Sequence, residues 1–244
     1  MTANTKKAAK PGKRALIVAF SALVLAAVSF FAYTAVYYRA DEEALSALVS
    51  DDTVTVSQTD YGYLFDGPSE TDALIFYPGG KVEETSYAPL LRAIAEGGSD
   101  VCLVKMPFRL AIFGGEKAED VIAQTDYARY LIGGHSLGGL IASSYASNHS
   151  GEISGVLLLA SYPTKDIPAD IPVLSLRGSE DGVLNLSFYE RGIKRIHGSF
   201  TEVIIYGGNH AQFGSYGAQR GDGEPEISPE EQWEQTAKSF ANGL

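Results

Sequence analysis

One serine, one histidine and one acidic turn stand in this sequence in an order that suits nucleophilic attack on a carbonyl. Ser136 lies in "YLIGGHSLGGL" (130–140), framed by Gly134 and Gly138. A serine hydroxyl at neutral pH is a poor nucleophile, so this chemistry needs a base to take its proton and an acid to orient the base. The pattern G-x-S-x-G marks a nucleophile only where a strand runs into it and a helix leaves it. Both conditions are met: "ARYLIGG" (128–134) reads as a strand and "LGGLIASSYASNH" (137–149) as a helix of small residues. The bare alternative, a glycine-rich bend without chemistry, does not call for those flanks.

Four histidines compete for the role of base. His135 adjoins the serine and must point elsewhere, and His149 ends the following helix, roughly three turns away. His197 sits in "RIHGS", at the amino end of a strand, whereas His210 follows "VIIYGGN" beyond a carboxyl end, as Ser136 does. His210 is therefore the expected base and His197 an ordinary surface residue. The acid belongs after another strand, and "PVLSLRGSEDGV" supplies Glu180 and Asp181. Asp181 is preferred, because a short carboxylate before a glycine is held rigidly in the turn.

The negative charge that develops on a carbonyl oxygen needs fixed donors, each worth about 10²- to 10³-fold in rate. Leu137 N–H, at a helix N-terminus whose dipole favours negative charge, is one candidate. The second is Gly80 or Lys81 N–H, in the "PGG" loop after "ALIFYP". Tyr162, Phe213 and Tyr216 are candidate walls of the substrate pocket.

These groups need a frame, and the remaining sequence provides one. Short strand patterns at "TVTVS" (53–57) and "YGYLF" (61–65) precede a regular alternation. Strands are expected at 73–80, 100–107, 128–134, 154–161, 172–178 and 201–208, with helices at 86–98, 115–125, 137–149, 185–196 and 228–241. That order implies an α/β fold with a mostly parallel, doubly wound sheet, helices on both faces, and sites at the carboxyl ends of the strands. Only "YPTKDIPADIP" separates two of the later strands, too little for a helical lid.

The N-terminal region is different. Ala15 to Tyr38 contains no charge in 24 residues. A helix of that length covers about 36 Å, enough to cross a bilayer core. Lys6, Lys7, Lys10, Lys13 and Arg14 precede the span, while Asp41, Glu42 and Glu43 follow. This asymmetry predicts a single-pass plasma-membrane protein: cytoplasmic tail 1–14, transmembrane helix 15–38, acidic tether 39–52 and an outward-facing domain 53–244. A cleaved signal peptide is the rival, against which stand the length and the bulky far end "SFFAYTAVYY". All 30 acidic residues and 14 of the 19 basic ones follow the span, leaving that part 16 charges negative. Such a surface is unsuited to nucleic acid. One cysteine, Cys102, cannot form an internal disulfide or build a zinc cluster. No cofactor or metal is expected, and the oligomeric state is not legible.

The order Ser136, Asp181, His210, the GHSLGG elbow and the "YPGG" loop resemble the α/β-hydrolase superfamily. Residues 70–242 are similar to its small lidless group, the α/β-hydrolase fold 5 and dienelactone-hydrolase-like proteins, and "GGNHAQFGSYGAQRGDG" resembles that group's histidine loop. The resemblance implies a serine-hydrolase mechanism acting on a small-molecule or acyl substrate. Two departures are visible: Pro78 stands where a histidine usually precedes the glycines, and dienelactone hydrolases proper use a cysteine nucleophile. The expected activity is that of a carboxylesterase-like enzyme; an acyltransferase, a peptidase and a catalytically silent binding module are the rivals.

Overall fold

The computed structural model describes residues 12–68 and 71–244. Two compact units divide the chain, the second running from Tyr37 to Leu244. The first contains a helix, α1 (Lys13–Ala35), whose most apolar window has a mean hydropathy of 2.6 and no buried residue. A helix apolar on all sides belongs in a protein core or in lipid, and this one is not in a core. It is a candidate anchor. Of the expected basic tail, residues 1–14, only Gly12, Lys13 and Arg14 lie within the described residues.

The boundary of the body differs from the sequence expectation. Tyr38, read as the last residue of the span, donates its N–H to Lys81 O (2.8 Å) and accepts from Glu83 N–H (2.8 Å). The segment read as a tether also folds onto the body. Its short helix α2 (Glu42–Ser46) is capped by Asp41 and buries Ala44, and Arg92 holds Ala47 O at 3.0 Å.

An eight-stranded sheet forms the body. Its strands are β1 (Thr55–Gln58), β2 (Gly62–Asp66), β3 (Asp72–Tyr77), β4 (Asp100–Val104), β5 (Arg129–His135), β6 (Gly155–Leu159), β7 (Val173–Gly178) and β8 (Phe200–Ile205). Their order is β1-β2-β4-β3-β5-β6-β7-β8, with β2 antiparallel to both of its neighbours, β1 and β4, and every other pair parallel. The helices are α3 (Ala88–Glu96), α4 (Ala118–Ile122), α5 (Leu137–Asn148), α6 (Leu186–Ile193) and α7 (Pro229–Gly243).

Strand periodicity puts both faces of the sheet in the core. Leu74 and Phe76 of β3 pack with Leu90, Leu91 and Ile94 of α3 and with Trp233 and Phe240 of α7. Ala73, Ile75 and Tyr77 face the opposite way, with Val121 of α4 and Ala142 and Tyr145 of α5. Cys102 is fully buried there, and desolvation pushes its thiol up to about 12. It is a packing residue rather than a nucleophile. No helix lies between β6 and β7.

Candidate active site

Ser136 stands between β5 and α5 with φ 52° and ψ −120°, a conformation that side-chain-bearing residues rarely adopt. Its N–H donates to Leu159 O (2.9 Å), and its C=O accepts from Ser161 Oγ (2.7 Å). The two flanking glycines have a steric cause. A Cβ on Gly134 would lie 2.4 Å from Tyr77 O, and one on Gly138 only 2.1 Å from the same atom. The end of β3 leaves no room for a side chain at either glycine, and a Cβ on Gly134 would also lie 2.7 Å from Gly138 C, so strand and helix meet in a sharp turn that lifts the serine above the sheet edge.

The acid and base loops meet beside it. His210 Nδ1 lies 2.9 Å from Asp181 Oδ2, with both side chains nearly inaccessible. A carboxylate can only accept, so Nδ1 carries the proton and Nε2 presents a lone pair. Among the described residues that buried Nε2 has no hydrogen-bond partner. Asp181 is held in turn by Val183 N–H (2.9 Å) and Leu184 N–H (2.8 Å), both donating to Oδ1. Glu180 instead accepts from its neighbour Ser179 Oγ (2.9 Å), which separates the two acidic candidates. His197 is half exposed and lies 3.9 Å from Asp166, a surface residue as expected.

A cavity of about 250 Å³ opens over this group, lined by Ser136, Leu137, Tyr162, Val183, Leu184 and His210 among others. Tyr162 is thus a wall of the pocket. Phe213 and Tyr216 are not; both are buried beneath the His210 loop, Phe213 against His135 and Tyr216 against Tyr87 and Tyr38. Aromatic rings at a strand end serve packing here because the histidine loop needs a floor.

The two candidates for the second oxyanion donor also separate. Lys81 N–H is engaged with Arg109 O at 2.8 Å. Gly80 N–H and Leu137 N–H have no hydrogen-bond partner among the described residues. A Cβ on Gly80 would meet Leu137 Cδ2 at 2.9 Å, so the loop after β3 packs against the Leu137 side chain.

Two features escaped the sequence reading. Asp222, in the polar loop after the histidine, accepts at Oδ1 from Gly182 N–H (3.1 Å), His210 N–H (3.2 Å) and Gly223 N–H (2.9 Å). Its Oδ2 accepts from Ala211 N–H (2.8 Å). One carboxylate thus ties the acid turn to the base loop; the signal available was an aspartate between two glycines, "GDG". The other is Tyr87, whose buried hydroxyl lies between Gly79 N and His135 Nδ1. Burial, and after it the nearby His210, hold the His135 imidazole well below its ordinary pKa.

The model of the alpha/beta hydrolase family matches residues 73–234. The chain belongs to that family. No curated protein matches the sequence. Among solved structures, a hydrolase from Thermoplasma acidophilum described as CIB-like aligns at TM-score 0.57 and 15% identity, covering 78% of this chain and 99% of that one. Carboxyl esterase 2 of the fungus Tuber melanosporum aligns at TM-score 0.56 and 12% identity, covering 85% and 91%. A bacterial membrane phospholipase A aligns at TM-score 0.56 and 15% identity, covering 96% and 100%. At these identities the likeness is one of fold.

Proposed function

We propose that this chain is a membrane-anchored serine hydrolase that cleaves ester-type acyl bonds outside the cytoplasm. The observation that carries the reading is the alignment of His210: Nδ1 is fixed on Asp181 at 2.9 Å, Nε2 is unpartnered among the described residues, and His210 lines the same cavity as Ser136. His210 Nε2 takes the Ser136 proton as Oγ bonds to the carbonyl carbon. Gly80 and Leu137 N–H hold the resulting oxyanion. The protonated histidine then gives that proton to the leaving alkoxide, which departs as the alcohol. Water, deprotonated by the same nitrogen, attacks the acyl-enzyme, and the released acid regenerates Ser136.

The small, mostly apolar cavity and the helix-free connection between β6 and β7 favour short acyl groups with ready access from solvent. Anchoring is supported by α1, by the basic residues before it and the acidic ones after it, and by an alignment with the membrane phospholipase A that spans 96% of this chain. The body would lie outside, with the first residues in the cytoplasm.

Steady-state hydrolysis of p-nitrophenyl acetate and butyrate by the detergent-solubilised full chain tests the proposal. Ser136→Ala and His210→Ala should each lower kcat by about 10⁴- to 10⁶-fold with the fold intact. Turnover that survives Ser136→Ala would overturn it. Added alcohols or amines that divert the acyl group, or cleavage of peptides in preference to esters, would redirect it to an acyltransferase or a peptidase.

A further inference from the structure

The site described so far leaves one buried polar pair without a role. Tyr87 is fully buried, and its hydroxyl oxygen accepts from Gly79 N–H at 3.0 Å and lies 2.8 Å from His135 Nδ1. Burial raises the phenol pKa, so Tyr87 keeps its proton, and burial also keeps His135 neutral. His135 Nε2 has no hydrogen-bond partner among the described residues, so the proton positions are assigned from the Tyr87 hydroxyl. If Nδ1 carried the imidazole proton, the Tyr87 O–H would have two donors aimed at it and no acceptor for its own hydrogen. The chain of bonds therefore runs from Gly79 N–H to Tyr87 Oη, and from Tyr87 O–H to His135 Nδ1.

The ends of this chain are informative. Gly79 precedes Gly80, whose N–H is the unengaged donor on the loop after β3, and His135 precedes Ser136 on β5. The loop and the nucleophile turn belong to different elements, and the two oxyanion donors must keep a fixed separation across them. A Cβ at Gly79 would lie 2.6 Å from Tyr87 Oη and 2.9 Å from His135 Nδ1, so the strap leaves no room for any other residue there.

We infer that Tyr87 and His135 are positioning residues that hold the Gly80 N–H in register with Leu137 N–H. The inference rests on the hydrolase reading above. Neither side chain lines the substrate cavity, so losing the strap should spare ground-state binding and weaken only the transition state.

The test compares wild type, Tyr87→Phe, His135→Leu and His135→Gln, the last of which keeps an acceptor for the Tyr87 hydroxyl. Tyr87→Phe and His135→Leu should lose about 10- to 100-fold in kcat with KM within twofold, a displaced donor costing less than the 10²- to 10³-fold of a deleted one. Affinity for an alkyl boronic acid, which mimics the tetrahedral adduct, should fall in parallel with kcat/KM. His135→Gln should recover most of both. A folded Tyr87→Phe within twofold of wild type in kcat and boronate affinity overturns this inference alone, as does equal loss in His135→Gln and His135→Leu. Should Tyr87→Phe fail to fold, the two His135 variants decide by that same comparison. Wild type without Ser136-dependent turnover overturns the hydrolase reading and this inference with it.

Discussion

Replacing Asp222 tests whether the acid and base loops are held by a third carboxylate rather than by their own turns. Asp222→Ala removes the acceptor of four backbone donors, two of which, His210 N–H and Ala211 N–H, belong to residues that are almost wholly buried. An orphaned buried donor costs about 1–3 kcal/mol. Asp222 is itself only half buried, so water can replace part of the loss. The sum for the two loop donors is then about 3 kcal/mol. Asp222→Asn keeps Oδ1 and forfeits the Ala211 bond, for about 1–1.5 kcal/mol. Activity should fall further than stability suggests, because a 1 Å displacement of a reacting group costs about 10²-fold. KM should hold, since Asp222 is not part of the cavity wall. Urea unfolding and p-nitrophenyl butyrate kinetics on the three proteins give both numbers. If Asp222→Ala has an unfolding free energy within about 0.5 kcal/mol of wild type and keeps half its kcat, the tie between the loops does not depend on Asp222.

Further outcomes follow from other residues. Ser136 is held at φ 52° and ψ −120°, so Ser136→Gly should exceed Ser136→Ala in stability by about 1–3 kcal/mol, read from urea midpoints; equal midpoints would deny strain at the elbow. The depressed pKa of His135 means that below its ordinary value of 6.5 the unfolded chain binds one more proton than the folded one. Stability is then full above pH 6.5 and falls by up to about 1.4 kcal/mol per pH unit beneath it. His135→Gln should flatten that part of the profile, and identical slopes between pH 7 and 5 would contradict the assignment. The full chain should resist alkaline carbonate extraction, and a chain beginning at Tyr37 should be soluble and keep its esterase activity. Protease added to intact cells should digest the body; its protection would reverse the proposed orientation.

Much of this arrangement is legible in the sequence because strand and helix periods are long-range patterns. The alternation from β3 to α7 follows from them, and the choice of His210 over His197 follows from which end of a strand each one occupies. The preference for Asp181 over Glu180 comes from turn geometry, and in the structure Asp181 Oδ2 lies 2.9 Å from His210 Nδ1. What could not be read depends on contacts between segments far apart in the chain. Asp222 lies in a stretch with no periodicity, and its four bonds exist only once two other loops arrive. Tyr87 reads as one more apolar helix residue until β5 places His135 beside its hydroxyl. Phe213 and Tyr216 follow the histidine as pocket residues would, yet the loop turns them inward. Tyr38 looks like the end of an apolar run because its tie to Val82 is a pairing across 44 positions.

The central claim is that Ser136 is the nucleophile and is activated by His210. Reaction of the folded full chain with a fluorophosphonate probe, followed by peptide mapping, addresses it most directly. The expected result is a single phosphonylated site at Ser136, absent in Ser136→Ala and strongly slowed in His210→Ala. No labelling of folded wild type, or labelling at another residue, would contradict it.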